Sequence, residues 1–220
     1  MSDMDVLIWA RSTGFQLAAG IFLLGMLLRW FEMLSLGRKP DLAVARSASP
    51  GSGWRTVWSR SFYHSSTLFK QSHATHILGY TFHIGLFVTL FFLAAHIQLI
   101  RGVTGLSWPA LPTPLVDGVA LVTIAALVAV VVLRLRDPVK RFLSRFEDYF
   151  TLALTLLPLV TGYMAYHHLL LPYTWMLAVH ILSAELLLVF MPFTKLMHFS
   201  TLFLARWYNG DIAGKKGVAS

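Results

Sequence analysis

The stretch Trp175–Phe199, WMLAVHILSAELLLVFMPFTKLMHF, decides how the chain is read. Its 25 residues are nearly all apolar. That length crosses a hydrocarbon core of about 30 Å at about 1.5 Å of rise per helical residue. His180 and His198 stand near its two ends, 18 positions apart. On a regular helix that separation is about five turns, so both imidazoles are expected on one face, about 27 Å apart. An ionisable side chain inside a membrane is costly to place and is a functional-site hypothesis by default. Two imidazoles on one face, one toward each surface, predict two metal centres stacked across a bilayer.

The rest of the chain has the same character. Its 220 residues are 56% hydrophobic and only 13% charged, whereas soluble domains carry roughly a quarter charged residues. The fold class expected is an all-α integral membrane bundle of five transmembrane helices within one 1–220 unit. The spans fall at about 6–29, 77–100, 115–133, 149–170 and 175–199. Arg11, Ser12 and Thr13 interrupt the first span near its start. The acidic beginning, with Asp3 and Asp5, is unlike a secretory signal, so this span is expected to be retained. With no cysteine in the chain, disulfides and cysteine-ligated iron–sulfur clusters are excluded. Nine histidines and no thiol make haem the metal centre that fits.

The net charge of +8 resembles a nucleic-acid footprint, but its distribution gives a membrane topology instead. Arg29, Arg38, Lys39, Arg46, Arg55, Arg60 and Lys70 follow the first span. Arg134, Arg136, Lys140, Arg141 and Arg145 follow the third, and Lys195, Arg206, Lys215 and Lys216 end the chain. Sixteen of the eighteen basic residues thus fall on one side, with only Arg11 and Arg101 on the other. The positive-inside rule then predicts the N-terminus outside and the C-terminus in the cytoplasm. Membrane lipid, not nucleic acid, is the expected surface partner. The cytoplasmic segment 30–76 combines a Ser/Gly/Pro stretch (47–53) with Trp54, Trp58, Phe62 and Tyr63, which suits an interfacial helix or a docking surface. The outer loop 101–114, with Trp108 and three prolines, is expected to be rigid and interfacial.

Span two adds His83 and His96, 13 positions apart. By depth, His96 matches His180 toward the outer side and His83 matches His198 toward the inner side, which predicts two bis-histidine haem sites. Thirteen residues advance a regular helix by about 220°, so this helix must twist, kink or present the groups around its circumference. His76 lies about two turns before His83 on the same face and is the alternative inner ligand. Gly79 and Gly85 beside His83 admit a flat macrocycle or serve helix packing. Any one such histidine has an ordinary reading as a core residue hydrogen-bonded to a neighbouring helix; four matched in depth favour haem.

The fifth span resembles the last helix of the gamma subunit of respiratory nitrate reductases, a family of five-helix dihaem b cytochromes. The shared features are the His180-to-His198 spacing and Pro192-Phe193-Thr194-Lys195 shortly before the second histidine. Phe82-His83-Ile84-Gly85 is similar to the family's inner-ligand motif. The 13-position spacing between His83 and His96 departs from the family's shorter one and points to a more distant branch. Such branches include the membrane cytochromes of heterodisulfide-reductase-like and sulfite-reductase-associated complexes. The resemblance implies haem iron ligation by His83, His96, His180 and His198, two haem b groups, and quinone or quinol as substrate. It also implies a cytoplasmic iron–sulfur partner subunit and residence in the inner (plasma) membrane of a prokaryote. A free-standing transmembrane reductase of the cytochrome b561 kind, or a histidine-based metal-ion transporter, are the competing readings.

Secondary candidates are Glu185, as a proton relay, a quinone contact or a carboxyl paired with another helix, and His167 and His168 at the outer end of span four. Arg11 and Arg101 reach headgroups or haem propionates, and Lys195 and Arg145 carry the same two readings. Met164 has no paired spacing that would support axial ligation. Pro158 and Pro192 are expected to kink their helices.

Overall fold

The computed structural model describes residues 2–37, 44–47, 50–61 and 72–218. Arg38, Lys39, Phe62, Tyr63 and Lys70, together with Ala48 and Ser49 of the Ser/Gly/Pro stretch, lie outside the described residues. Among the described residues every regular element is helical. The order is α1 (Asp3–Trp9), a π-helical turn (Ala10–Gly14), α2 (Phe15–Ser35), α3 (Ser52–Ser61), α4 (His73–Phe92) and α5 (Ala94–Thr104). Then come α6 (Thr113–Arg136), α7 (Pro138–Leu143), α8 (Phe146–Tyr166) and α9 (Tyr173–Phe190). Two short 3₁₀ turns (Met191–Phe193 and Lys195–Met197) lead to α10 (His198–Lys215). Five helical stretches are long and apolar enough to cross a membrane: Asp3–Ser35, His73–Phe92, Thr113–Arg136, Phe146–Tyr166 and Tyr173–Phe193. Large apolar side chains stand outward along them, Leu24 at 69% and Leu27 at 66% exposure among them. Water would tolerate such a surface poorly and hydrocarbon accepts it.

Two spans differ from the continuous helices expected. Span two, expected over 77–100, is interrupted: α4 ends at Phe92 and Leu93 is extended (φ −77°, ψ 129°). Nothing in Phe91-Phe92-Leu93-Ala94 signals a break, since it holds neither glycine nor proline; long-range hydrogen bonds support it. The end of α4 leaves carbonyls without intrahelical partners. The Trp108 indole donates to the Phe91 carbonyl at 2.6 Å, and the Leu111 amide donates to Phe92 at 3.1 Å. The outer loop thus folds back and caps α4. For span five the expectation is one helix to residue 199, with both histidines on one face. That expectation is corrected: α9 stops at Phe190, and Thr194 is extended (φ −124°, ψ 178°). Pro192 lacks an N–H and its ring clashes with the preceding turn. Pro158, by contrast, sits inside α8 without ending it. The polar interruption at Arg11-Ser12-Thr13 is absorbed by the π turn, where Ser12 returns its hydroxyl to the Ile8 carbonyl at 2.6 Å.

The described chain forms two compact units. The first comprises 1–22 and 73–190. Within it α4 packs on α6, α6 on α8, α8 on α9, and α9 on α1 and the π turn. Phe82, Ala126 and Leu127 form its apolar centre with Leu78, Leu86, Leu152, Leu156 and Leu159. Small and hydroxylated residues let α4 and α6 approach, as is common between membrane helices. Gly85 lies directly against the Thr123 side chain, so of its two expected roles it takes helix packing. Asp137 caps α7, accepting from the amides of Val139 at 3.0 Å and Lys140 at 3.1 Å.

The second unit comprises 23–72 and 191–220. Here α3 packs along α10. Gly53 lies against Trp207, and Gly210 against Thr56 and the Ser52 carbonyl. Arg206 donates to the Ser61 hydroxyl at 2.7 Å and Ser47 to the Gly214 carbonyl at 2.7 Å. Trp54 and Trp58 on α3 remain 70% and 71% exposed, one turn apart.

A Cβ at Gly210 would stand 2.9 Å from the Ser52 carbonyl oxygen. Gly210→Ala is therefore expected to destabilise this unit by about 1–3 kcal/mol through overpacking. The measurement is the thermal midpoint of the purified chain in detergent; an unchanged midpoint would contradict the packing described. The amide of Lys140 holds the Asp137 carboxyl below the ordinary carboxylate range. A depressed folded value means the cap is fully present above about pH 4 and lost as pH falls through the lowered value. The protection of the Val139 and Lys140 amides against hydrogen exchange, relative to their intrinsic rates at each pH, should fall in acid in the wild type. Asp137→Asn should remove that pH dependence.

Candidate functional site

Of the four histidines singled out, the structure brings His96 and His180 together. Their ring centroids are 6.1 Å apart and their planes are 23° from parallel. His96 lies in the first turn of α5, just beyond the break at Leu93, and His180 lies near the middle of α9. The break therefore answers the 13-position problem: His83 and His96 do not share one helix. It also frees the Thr89 carbonyl, which takes the His96 Nδ1 proton at 2.9 Å.

His180 is held differently. Its ring lies against Gly162 of α8, where a Cβ would fall 2.8 Å from Cε1 and 3.0 Å from Nδ1. Thr161 gives its hydroxyl proton to the Leu157 carbonyl at 2.8 Å. Its oxygen then accepts from His180 Nδ1 at 3.4 Å. The Ser183 hydroxyl shares its one proton between the Thr161 oxygen at 3.0 Å and the His180 carbonyl at 2.7 Å, which extends the chain. Thr161, Gly162 and Ser183 were not legible as site residues in the sequence, because their role depends on which face of α8 meets α9.

His83, in the first unit, is exposed on α4, with Nδ1 at 2.7 Å from the Gly79 carbonyl. His76 is exposed on the same helix. His198, in the second unit, opens α10, with Nδ1 at 2.8 Å from the Lys195 carbonyl. In all four residues, then, Nδ1 faces an oxygen of the protein. An imidazole that donates from Nδ1 carries its lone pair on Nε2, the tautomer of a metal-ligating histidine with a second-shell acceptor.

A metal bound between two imidazoles sits about 2 Å from each ligating nitrogen, which puts the two ring centres about 6 Å apart. The His96/His180 separation matches. Among the described residues no group of three or more His, Asp or Glu side chains is placed to hold an ion. Two imidazole nitrogens suit a metal whose remaining ligands come from a macrocycle, and the ring separation leaves the distance that a haem iron between them would need.

The secondary candidates separate. His167 donates to Asp117 at 2.8 Å and lies beside Tyr163, with ring centroids 4.4 Å apart and planes tilted by 44°. His168 stacks on Tyr173 at 4.9 Å. Glu185 is buried on α9, and its Oε1 has no hydrogen-bond partner among the described residues.

A protein of Nitratidesulfovibrio vulgaris is 34% identical over 183 residues, spanning 83% of this chain and 79% of its own length. Its name states no activity. No family model and no solved structure matches the chain.

The contact between Gly162 and the His180 ring makes a specific prediction. Gly162→Ala should cost about 1–3 kcal/mol of stability when His180 is present. In a His180→Ala background the same change should cost little, because the ring it meets is gone. Equal costs in both backgrounds, measured by thermal unfolding in detergent, would contradict the packing.

Proposed function

We propose that this chain, which belongs to the same family as the Nitratidesulfovibrio vulgaris protein, is a membrane-anchor dihaem cytochrome b. In this reading it exchanges electrons between the membrane quinone pool and a cytoplasmic iron–sulfur oxidoreductase, in the inner membrane of a prokaryote. The observation that carries the proposal is the His96/His180 pair: two imidazoles 6.1 Å apart, each with Nδ1 turned to a protein oxygen. A haem held there would supply a one-electron redox centre. The protein's part is to fix both rings and to keep the Nε2 lone pairs for the metal.

A second haem is assigned to His83 and His198 on their motifs and their Nδ1 hydrogen bonds, each taken by itself. With no cysteine in the sequence, the iron–sulfur cluster of this reading belongs to the proposed partner. Arg29, Arg46, Arg55 and Arg60, with exposed Trp54 and Trp58, provide basic and aromatic groups suited to a cytoplasmic subunit or to the lipid surface.

The test is a reduced-minus-oxidised visible spectrum of the purified chain with a pyridine haemochrome count. Two b haems per chain are expected. His96→Ala and His180→Ala should each remove the same one, while His83→Ala removes the other and His76→Ala removes neither. A wild-type chain without haem would overturn the proposal.

A further inference from the structure

Glu185 is 7% exposed, and its Oε1 lacks a hydrogen-bond partner among the described residues. A buried carboxyl left without a partner is costly, so its setting calls for a reason. That setting is shaped around it. Gly14 closes the π turn against the carboxyl, where a Cβ would stand 3.0 Å from Oε2 and 3.2 Å from Oε1. Trp9 borders the same point at 3.0 Å. A π turn inserts an extra residue into a helix and commonly marks a functional site.

The carboxyl meets a cleft of about 540 Å³ bordered by Trp9, Leu17, Ile21, Ser183 and Leu186. Its wall is otherwise almost wholly apolar. Leu17, Ile21 and Leu186 are 57%, 42% and 41% exposed, so the cleft opens along the flank of its helices. What enters from that side comes through hydrocarbon and brings an apolar body with a polar group for Glu185. Ser183 links the cleft to the candidate haem ligand through Thr161 and then His180 Nδ1, at 3.0 and 3.4 Å.

We propose that this cleft binds the ring of a lipid-soluble quinol or quinone, with Glu185 hydrogen-bonded to a ring oxygen and Trp9 beside the ring. As a carboxylate, Glu185 accepts from a quinol hydroxyl; as a carboxylic acid, it donates to a quinone carbonyl. One side chain thus serves both forms, which differ by protons as well as electrons. The identity of the ligand rests on the electron-exchange reading above; the cleft, the unpartnered carboxyl and the link to His180 do not.

The experiment photolabels the full chain in lipid nanodiscs with an azido-benzoquinone carrying a decyl tail and maps the label by mass spectrometry. Label is expected within 9–21 and 179–189 and should be competed away by unlabelled decyl-benzoquinone. Glu185→Leu should weaken labelling roughly tenfold, as for loss of one strong hydrogen bond. Leu186→Trp, at an exposed wall position, should block the cleft without disturbing the carboxyl. Label elsewhere, label that is not competed, or label unchanged in both variants would overturn the assignment. The haem content of the same samples separates the two readings. Haem with no competed label sinks the cleft alone, whereas competed, Glu185-dependent label without haem sinks the cytochrome reading and leaves the quinone site.

Discussion

Hydrocarbon offers no hydrogen bonds, so every main-chain group that a membrane helix releases must find a partner in the protein. The interruption after Phe92 shows this most clearly. Three carbonyls at the end of α4 are taken up again: Thr89 by the His96 imidazole, Phe91 by the Trp108 indole and Phe92 by the Leu111 amide. The same break thus caps α4, anchors the outer loop and turns His96 toward His180. A straight helix through Leu93 would satisfy its own carbonyls and leave Thr89 nothing to offer the imidazole.

Imidazole orientation follows from local main-chain geometry at the other candidate ligands too. His83 bonds back one helical turn to Gly79, and His198 bonds back to Lys195. His180 is the exception, because its Nδ1 is met by a neighbouring helix through Thr161, whose own proton is committed to Leu157. Gly162 lets that ring lie against the backbone. The His96/His180 pair therefore depends on two unlike supports, one a helix end and one a helix face.

The apolar spans were legible in the sequence because burial in a membrane demands long apolar runs and makes each polar residue conspicuous. The breaks were legible only in part. Pro192 announced its own, since it removes a donor and clashes with the preceding turn. The break at Leu93 has no local signal, because loop residues 15 to 18 positions later supply its hydrogen bonds. Pro158 carries the same local signal as Pro192 and yet stays within α8. Glu185 stood out as a carboxyl in an apolar span. Its relation to Gly14 did not, because nothing local in Arg11-Ser12-Thr13 prescribes a π turn.

The central proposal is that His96 and His180 hold one haem iron. The most direct measurement is the electron paramagnetic resonance spectrum of the oxidised, purified chain beside His96→Ala. Rings 23° from parallel should give a rhombic low-spin ferric signal of bis-imidazole iron, absent from the variant while the rest of the spectrum persists. A wild-type spectrum without low-spin iron, or one unchanged by His96→Ala, would contradict the assignment.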